Sequence, residues 1–386
     1  MTLIAIFNSS KPTLISDVLL SSAQTPPAVS VTPTGVSIDP AKYVSADYAP
    51  VHFQQKTAIL HGGKVAIAVA GDFKRAQEAA CALRDDIRNG VLCQSNLQEW
   101  GQEADKKFGK SVSMFIAWNE PESWLIGKIG DPFTVRRTAS GTEVFWAGSG
   151  SKWLQTCMLT LGECVEQIGP LEEAERIRML AIAQTGYHLF SERVLGLKDH
   201  FGGGFQITTL HEDLFYPVTG ITYIHMTVLH NEKGIPYTIK ILPSIVIQGY
   251  DSGNLTFDTL SLSDIERLDR GDRFEFRGRF ERSCLPVKPL LTGNNLPPPP
   301  PSLERVRYFH IQRAHIWNGS IVHLGSSQLL QEGTAPCPIE IVEHPDNTVS
   351  IFVRKTELKM WQQKGPSRKT LKKRHHTWIR SNADRA

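Results

Sequence analysis

Hydrophobic positions come in strand-sized blocks through the first seventy residues. Residues 3–7 are apolar and rich in Ile, and Asn8-Ser9-Ser10-Lys11-Pro12 has the composition of a turn. Residues 13–21 supply a second strand, so the two predict a hairpin. A second hairpin is predicted from 56–60 and 64–70, across His61-Gly62-Gly63. Between them, 23–50 carries Pro26, Pro27, Pro33, Pro40 and Pro50 and reads as a long surface loop. The period then changes. Phe73, Ala76, Ala80, Leu83 and Ile87 recur at spacings of three and four, which predicts a helix over 73–89 closed by Gly90.

A short helix is predicted over 97–107, then a hairpin of 112–118 and 123–129 across Asn119-Glu120-Pro121. A strand at 143–147 runs into Gly148-Ser149-Gly150. Two helices follow, over 151–168 and 171–195, the second started by Pro170. Strands resume at Phe205. Hairpins imply antiparallel sheets, and helices arriving in blocks fit layers outside two stacked sheets. The expected class is therefore α+β. No glycine-rich phosphate loop follows the first strand. Beyond 220 the pattern weakens: 221–229 and 237–247 read as strands, and 264–279 is densely charged. Five prolines at 297–301 read as a stiff linker before a small basic module with strands at 321–324, 339–342 and 349–353. The expected organisation is 1–220, an extension 221–296, the linker 297–301, and a module with tail over 302–386.

Composition narrows the class. The chain has 386 residues, 41% hydrophobic and 21% charged, which excludes a wholly disordered protein. The longest apolar runs are strand-sized, so no membrane-spanning helix is expected. The start lacks a basic leader and does not read as a secretory signal. Six cysteines without a closely spaced pair read as reduced thiols of a cytoplasmic protein rather than zinc ligands. Residues 354–386 hold eleven Lys/Arg and two Asp/Glu, so the rest of the chain is mildly acidic. Such a tail suits nucleic acid or an acidic partner, or is a solvated terminus.

The first residues carry the candidate chemistry. Methionine aminopeptidase removes Met1 when the next residue is small, and Thr2 qualifies. Thr2 would then hold a nucleophilic hydroxyl and an α-amine of pKa about 7.7–8.0 on one residue. Met1-Thr2-Leu3-Ile4-Ala5-Ile6, Leu14-Ile15-Ser16-Asp17, residues 56–71, residues 144–150 and residues 199–204 occur in an order that resembles the proteasome β-subunit family, and most closely HslV-type threonine peptidases. The resemblance covers roughly residues 1–220.

The resemblance implies a four-layer αββα sandwich of the N-terminal-nucleophile hydrolases. It implies Thr2 as nucleophile, Lys56 as the lysine whose charge lowers the nucleophile's pKa, and Asp17 as the acid orienting that lysine. It implies the Gly71 N–H as oxyanion donor, Val69 as a lining residue of the substrate pocket, Ser149 as a proton shuttle, and Asp199 as a supporting acid. The implied activity is peptide-bond cleavage through an acyl-enzyme, without metal or organic cofactor, in a homo-oligomer served by an ATP-dependent unfoldase. The chain departs from the family at four places. Asp17 lies one residue closer to Thr2 than in the family, which implies a shorter first turn. Asp72 stands where glycine is usual, Gly202 stands where serine is usual, and 23–50 is longer, as a lid or specificity element near the cleft. Two other readings stay open: an amidohydrolase on a small amide, and an inactive binding protein acting through 354–386, where Trp361 and Trp378 flank basic residues.

Overall fold

The computed structural model describes residues 2–22, 27–43, 48–120, 123–130, 134–137, 142–148, 150, 172–195, 197, 201–233, 235–293, 300, 303, 306–318, 320–331 and 339–363. The expected helix over 151–168, the proline linker apart from Pro300, and the residues after 363 lie outside these. The chain divides into two compact units. The first comprises 1–219, 248–257 and 284–304; the second comprises 220–247, 258–283 and 305–386.

In the first unit the opening pattern folds as it reads. β1 (Leu3–Asn8) and β2 (Thr13–Asp17) pair antiparallel, Ile4 opposite Ser16 and Phe7 opposite Thr13. The predicted second strand breaks after Asp17. Val18 turns its N–H to the Gly204 carbonyl, and the chain resumes as β3 (Leu19–Ser22), paired with β4 (Ala49–Phe53). The expectation of a plain surface loop at 23–50 is corrected here. Thr32 and Val36 close a tight turn, and 40–43 forms a helical turn. Ile38, Tyr43 and Ala49 are buried in a cluster with Leu19 and Leu197. The Tyr43 hydroxyl donates to the Leu197 carbonyl at 2.9 Å. Pro33 and Pro50 are buried and stiffen this segment.

β5 (Thr57–Leu60), β6 (Val65–Gly71), β7 (Val112–Glu120) and β8 (Ser123–Ile129) form a four-stranded antiparallel sheet. α1 (Phe73–Arg88) is capped by Asp72, whose carboxylate accepts the Arg75 N–H. α1 and α2 (Leu97–Phe108) pack against this sheet. Their apolar stripes meet Ile67, Val69, Met114 and Ile116 in one core cluster. β9 (Thr134–Arg137), β10 (Glu143–Gly148), β11 (Phe205–His211) and β12 (Leu214–Pro217) complete a six-stranded sheet in the order β12-β11-β2-β1-β10-β9. A second cluster joins the two sheets: Ile4, Ile6, Leu14, Phe115 and Phe215 interleave with Ala66, Ala68, Ala70, Ala117 and Ala147. α3 (Glu173–Leu195) packs on β2 and β11 and is buried on most faces, so its charged and polar residues need internal partners.

The second unit is β-rich, and the ends of three of its strands, at 248–251, 254–257 and 284–287, are counted with the first. β13 (Ile221–His230), β14 (Pro236–Asp251), β15 (Asn254–Arg270), β16 (Arg273–Val287), β17 (Arg307–Trp317), β18 (Ser320–Gln331), β19 (Ile339–Glu343) and β20 (Thr348–Arg354) form one sheet in the order β18-β17-β13-β14-β15-β16-β20-β19. β13 and β17 are parallel. Strands of the expected 221–296 extension and of the expected 302–386 module thus share a sheet. The charged stretch 264–279 belongs to two long strands, laced by Arg270–Glu275 at 2.6 Å, Arg273–Glu340 at 2.9 Å and Lys355–Asp269 at 2.6 Å. α4 (Lys355–Gln363) packs on β20 and buries Leu358. No described helix is long and apolar enough to cross a membrane.

Phe115 is fully buried between the two sheets of the first unit. Phe115→Ala should lower unfolding free energy by about 3–5 kcal/mol, read as a fall in the urea midpoint at unchanged slope.

Candidate functional site

Three side chains far apart in sequence meet at one end of the paired sheets. Thr2 immediately precedes β1, Asp17 ends β2, and Lys56 immediately precedes β5. All three are buried, Thr2 at 3%, Asp17 at 0% and Lys56 at 1% exposure. The Lys56 ammonium pairs with Asp17 Oδ1 at 2.7 Å and donates to the Leu19 carbonyl at 2.5 Å. It also donates to Thr2 Oγ1, whose hydroxyl donates to Asp17 Oδ1 at 2.5 Å. Asp17 is held in turn by backbone. The Leu3 N–H reaches Oδ1 at 2.8 Å, and the Leu19 and Gly202 N–H groups reach Oδ2 at 3.3 and 2.9 Å.

Local sequence explains this convergence. Side chains alternate along a strand, so the β1–β2 register decides which face Asp17 takes. The turn lies within 8–12, outside the paired segments, whose register runs from Phe7–Thr13 to Ile4–Ser16. β2 also pairs with β11, placing Phe205 opposite Asp17. Lys56 is anchored through its carbonyl, which accepts the Val69 N–H at 2.9 Å. Next to it, Thr57 N–H donates to Gln206 Oε1 at 3.0 Å, tying β5 to β11.

Burial pulls the Lys56 pKa below the ordinary lysine range, and the Asp17 carboxylate pulls against that shift. A hydroxyl between a desolvated ammonium and a carboxylate can surrender its proton and be stabilised as an alkoxide. Two of the three side chains, Thr2 and Lys56, face a cleft of about 580 Å³, and Asp17 lies behind them. Thr2, Lys56, Val69, Gly71, Asp72 and Tyr48 are among its lining residues. Ala70, Phe73 and Ala76 add apolar wall, and Ser21 and Ser22 a polar rim.

The structure thus brings together Thr2, Asp17 and Lys56, with Val69 and Gly71 on the same cleft. Ser149 and Asp199 lie outside the described residues. Asp72 caps α1 while lining the cleft, so its charge is committed to the helix N-terminus as well as facing the cavity. Two residues escaped the sequence reading. Tyr48 comes from the segment expected to be a loop. Glu192 of α3 is 7% exposed and accepts the Gly203 N–H with both oxygens, at 3.1 and 3.2 Å. A Glu in a helix usually reads as a solvated residue, and between Ser191 and Arg193 no sequence signal marked it as buried. Among the described residues, no group of three or more His, Cys, Asp or Glu could hold a metal ion.

No protein-family model and no curated protein matches the chain. Among solved structures, the chain is similar to eukaryotic HslV from Trypanosoma brucei, at 13% identity and a TM-score of 0.31 over 54% of this chain and 99% of that one. It is also similar to Anbu (ancestral beta-subunit) from Yersinia bercovieri, at 11% identity and a TM-score of 0.35 over 56% of this chain and 87% of that one. Likeness at this level leaves function to be argued from the site's own geometry.

Two outcomes test the site. Asp17→Asn leaves a buried lysine without its counter-ion and should cost about 3–5 kcal/mol in urea denaturation. Asp17→Asn with Lys56→Met removes both charges and should recover much of that loss. Gly148 adopts φ +96°, and a Cβ there would overlap the Thr2 carbonyl oxygen. Gly148→Ala should therefore disturb Thr2 itself, and should slow any reaction at Thr2 at least tenfold.

Proposed function

We propose that the chain is a threonine-type N-terminal-nucleophile hydrolase that cleaves peptide bonds through an acyl-enzyme on Thr2. The observation that carries this reading is the buried Thr2–Lys56–Asp17 trio, whose Thr2 and Lys56 line an accessible cleft. A buried ion pair is a poor stability device, because a well-packed apolar replacement is commonly as stable. Its retention around a hydroxyl in a cleft favours chemistry. A four-layer αββα sandwich belongs to the same proposal, supported by α1 and α2 packing on one sheet, α3 on the other, and a shared core between the sheets.

The steps follow from the residues. Removal of Met1 leaves Thr2 with a free α-amine. Thr2 Oγ1 attacks the carbonyl carbon and forms a C–O bond, and its proton passes to that amine. Lys56 stabilises the developing alkoxide, and Asp17 fixes Lys56. The Gly71 N–H takes the oxyanion. The C–N bond breaks with the proton delivered to the leaving amine, and water then releases the acyl group as a carboxylic acid. Ser149 and Asp199 are assigned to the proton network by the family resemblance alone. That resemblance also suggests a homo-oligomer and an unfoldase partner.

One observation favours the second reading, a small-amide hydrolase. The folded segment after β3 brings Tyr48 to the cleft, and β3 brings Ser21 and Ser22, which together can close around a compact substrate. Intact mass of the purified protein with a Thr-directed β-lactone tests both. The expected result is loss of Met1 and one adduct per chain, absent in Thr2→Ala. Retained Met1, or a free Thr2 that never labels, overturns the hydrolase reading. Turnover of an unstructured protein then separates a peptidase from a small-amide enzyme.

A further inference from the structure

Glu192 is a buried carboxyl group that the reaction above does not use, yet it lies one turn away from the trio. It sits on α3, four residues after His188, so both face the 201–205 stretch. His188 stacks on Phe205 at 4.9 Å and meets Phe201 edge-on at 5.1 Å. Burial drives the His188 pKa far down, so the ring is neutral there. Beside these rings, Glu192 accepts the Gly203 N–H with both carboxyl oxygens.

The neighbouring glycine makes the arrangement specific. Gly202 has φ +117°, and a Cβ built on it would overlap Glu192 Oε1. The carboxyl group therefore occupies the space a side chain at position 202 would take. The same Gly202 donates its N–H to Asp17 Oδ2 at 2.9 Å and accepts the Leu19 N–H at 3.1 Å. Gly204 accepts the Val18 N–H at 3.1 Å. One turn thus grips Asp17 and the β2–β3 break from one side and is gripped by Glu192 from the other.

We propose that Glu192 is a positioning residue of the Thr2 site, holding the 202–204 turn that fixes Asp17 and standing in for the side chain that Gly202 lacks. This rests on the reading of Thr2 as nucleophile. The groups facing Glu192 are Asp17 across the turn and Arg193 beside it, whose guanidinium donates to the Thr34 carbonyl at 2.9 Å. Burial and the Asp17 charge raise the Glu192 pKa to about 8, against the Gly203 N–H and Arg193, which lower it. Glu192 is then neutral at pH 7 and becomes an anion above about pH 8. A second negative charge beside Asp17 opposes loss of the Thr2 hydroxyl proton, so reaction at Thr2 falls on the alkaline side.

The test is the rate of β-lactone labelling of Thr2 from pH 6 to 10 in the full chain, with Glu192→Gln and Glu192→Ala, alongside hydrogen exchange of the peptide covering 201–205. Gln keeps a carbonyl acceptor but cannot ionise. Its labelling rate should exceed that of the wild type increasingly above about pH 8, with only the α-amine and Lys56 left to shape the profile. Ala should label at least tenfold more slowly and exchange faster at 201–205, whereas Gln keeps the protection. An unchanged pH profile in Glu192→Gln, with unchanged rate in Glu192→Ala, overturns the proposal. A wild-type chain with free Thr2 that never labels overturns the hydrolase reading instead. In that case the exchange measurement decides Glu192, and equal protection in Glu192→Ala overturns its role.

Discussion

The first unit is organised around the burial of one ammonium group. Taking Lys56 out of water costs several kcal/mol even after relaxation. That cost is offset only if every donor finds an acceptor, and the chain supplies three: Asp17, the Leu19 carbonyl and Thr2 Oγ1. Asp17 and Leu19 flank the break after β2, and Thr2 precedes β1. The break after Asp17 turns the Leu19 carbonyl toward Lys56, and the β1–β2 register aims Asp17 at Thr2. A one-residue slip in that hairpin would face Asp17 the other way and leave Lys56 without its counter-ion.

Packing brings the two halves of this constellation together. Thr2 and Asp17 belong to one sheet, Lys56 and Val69 to the other. The interface between the sheets is rich in alanine, with Ala66, Ala68, Ala70, Ala117 and Ala147 set against Ile4, Ile6, Leu14 and Phe215. Small residues against large ones let the layers interdigitate at close packing. Larger groups at the alanines would push the sheets apart, and a lysine contact of 2.7 Å to Asp17 tolerates little of that. The alanines are therefore part of the site's geometry as much as of the core.

Much of this was legible in the sequence, for stateable reasons. The 56–70 hairpin, α1, α2 and the 112–129 hairpin carry strand-sized apolar runs or a period of 3.6 and form within a residue or two of their expected places, whereas the first hairpin ends early, at Asp17 instead of 21. The pattern failed where tertiary partners override composition. Prolines at 23–50 suggested a loop, but Ile38, Tyr43 and Ala49 build a local cluster. The charges of 264–279 suggested no element, because cross-strand ion pairs leave no hydrophobic alternation on the exposed side. β17 was not anticipated, since His310, Gln312, Arg313 and His315 are buried polar residues on a strand. In the site, Thr2, Asp17 and Lys56 were nameable from their order, and Glu192 was not, because its role depends on a turn ten residues further on.

That turn changes how the glycine at 202 is understood. Counted as sequence, it is a missing hydroxyl in a proton network. In the structure it is a position whose backbone conformation disfavours any side chain and whose side-chain space is already filled. A carboxyl group arriving from a helix can hold the turn as a hydroxyl on the turn could, but it titrates where a hydroxyl does not. The network around Asp17 therefore keeps its shape while acquiring a charge that depends on pH. The glycine and the buried glutamate make sense only as a pair: a side chain at 202 would collide with the carboxyl, and without the carboxyl the bare turn would hold Asp17 from one side alone.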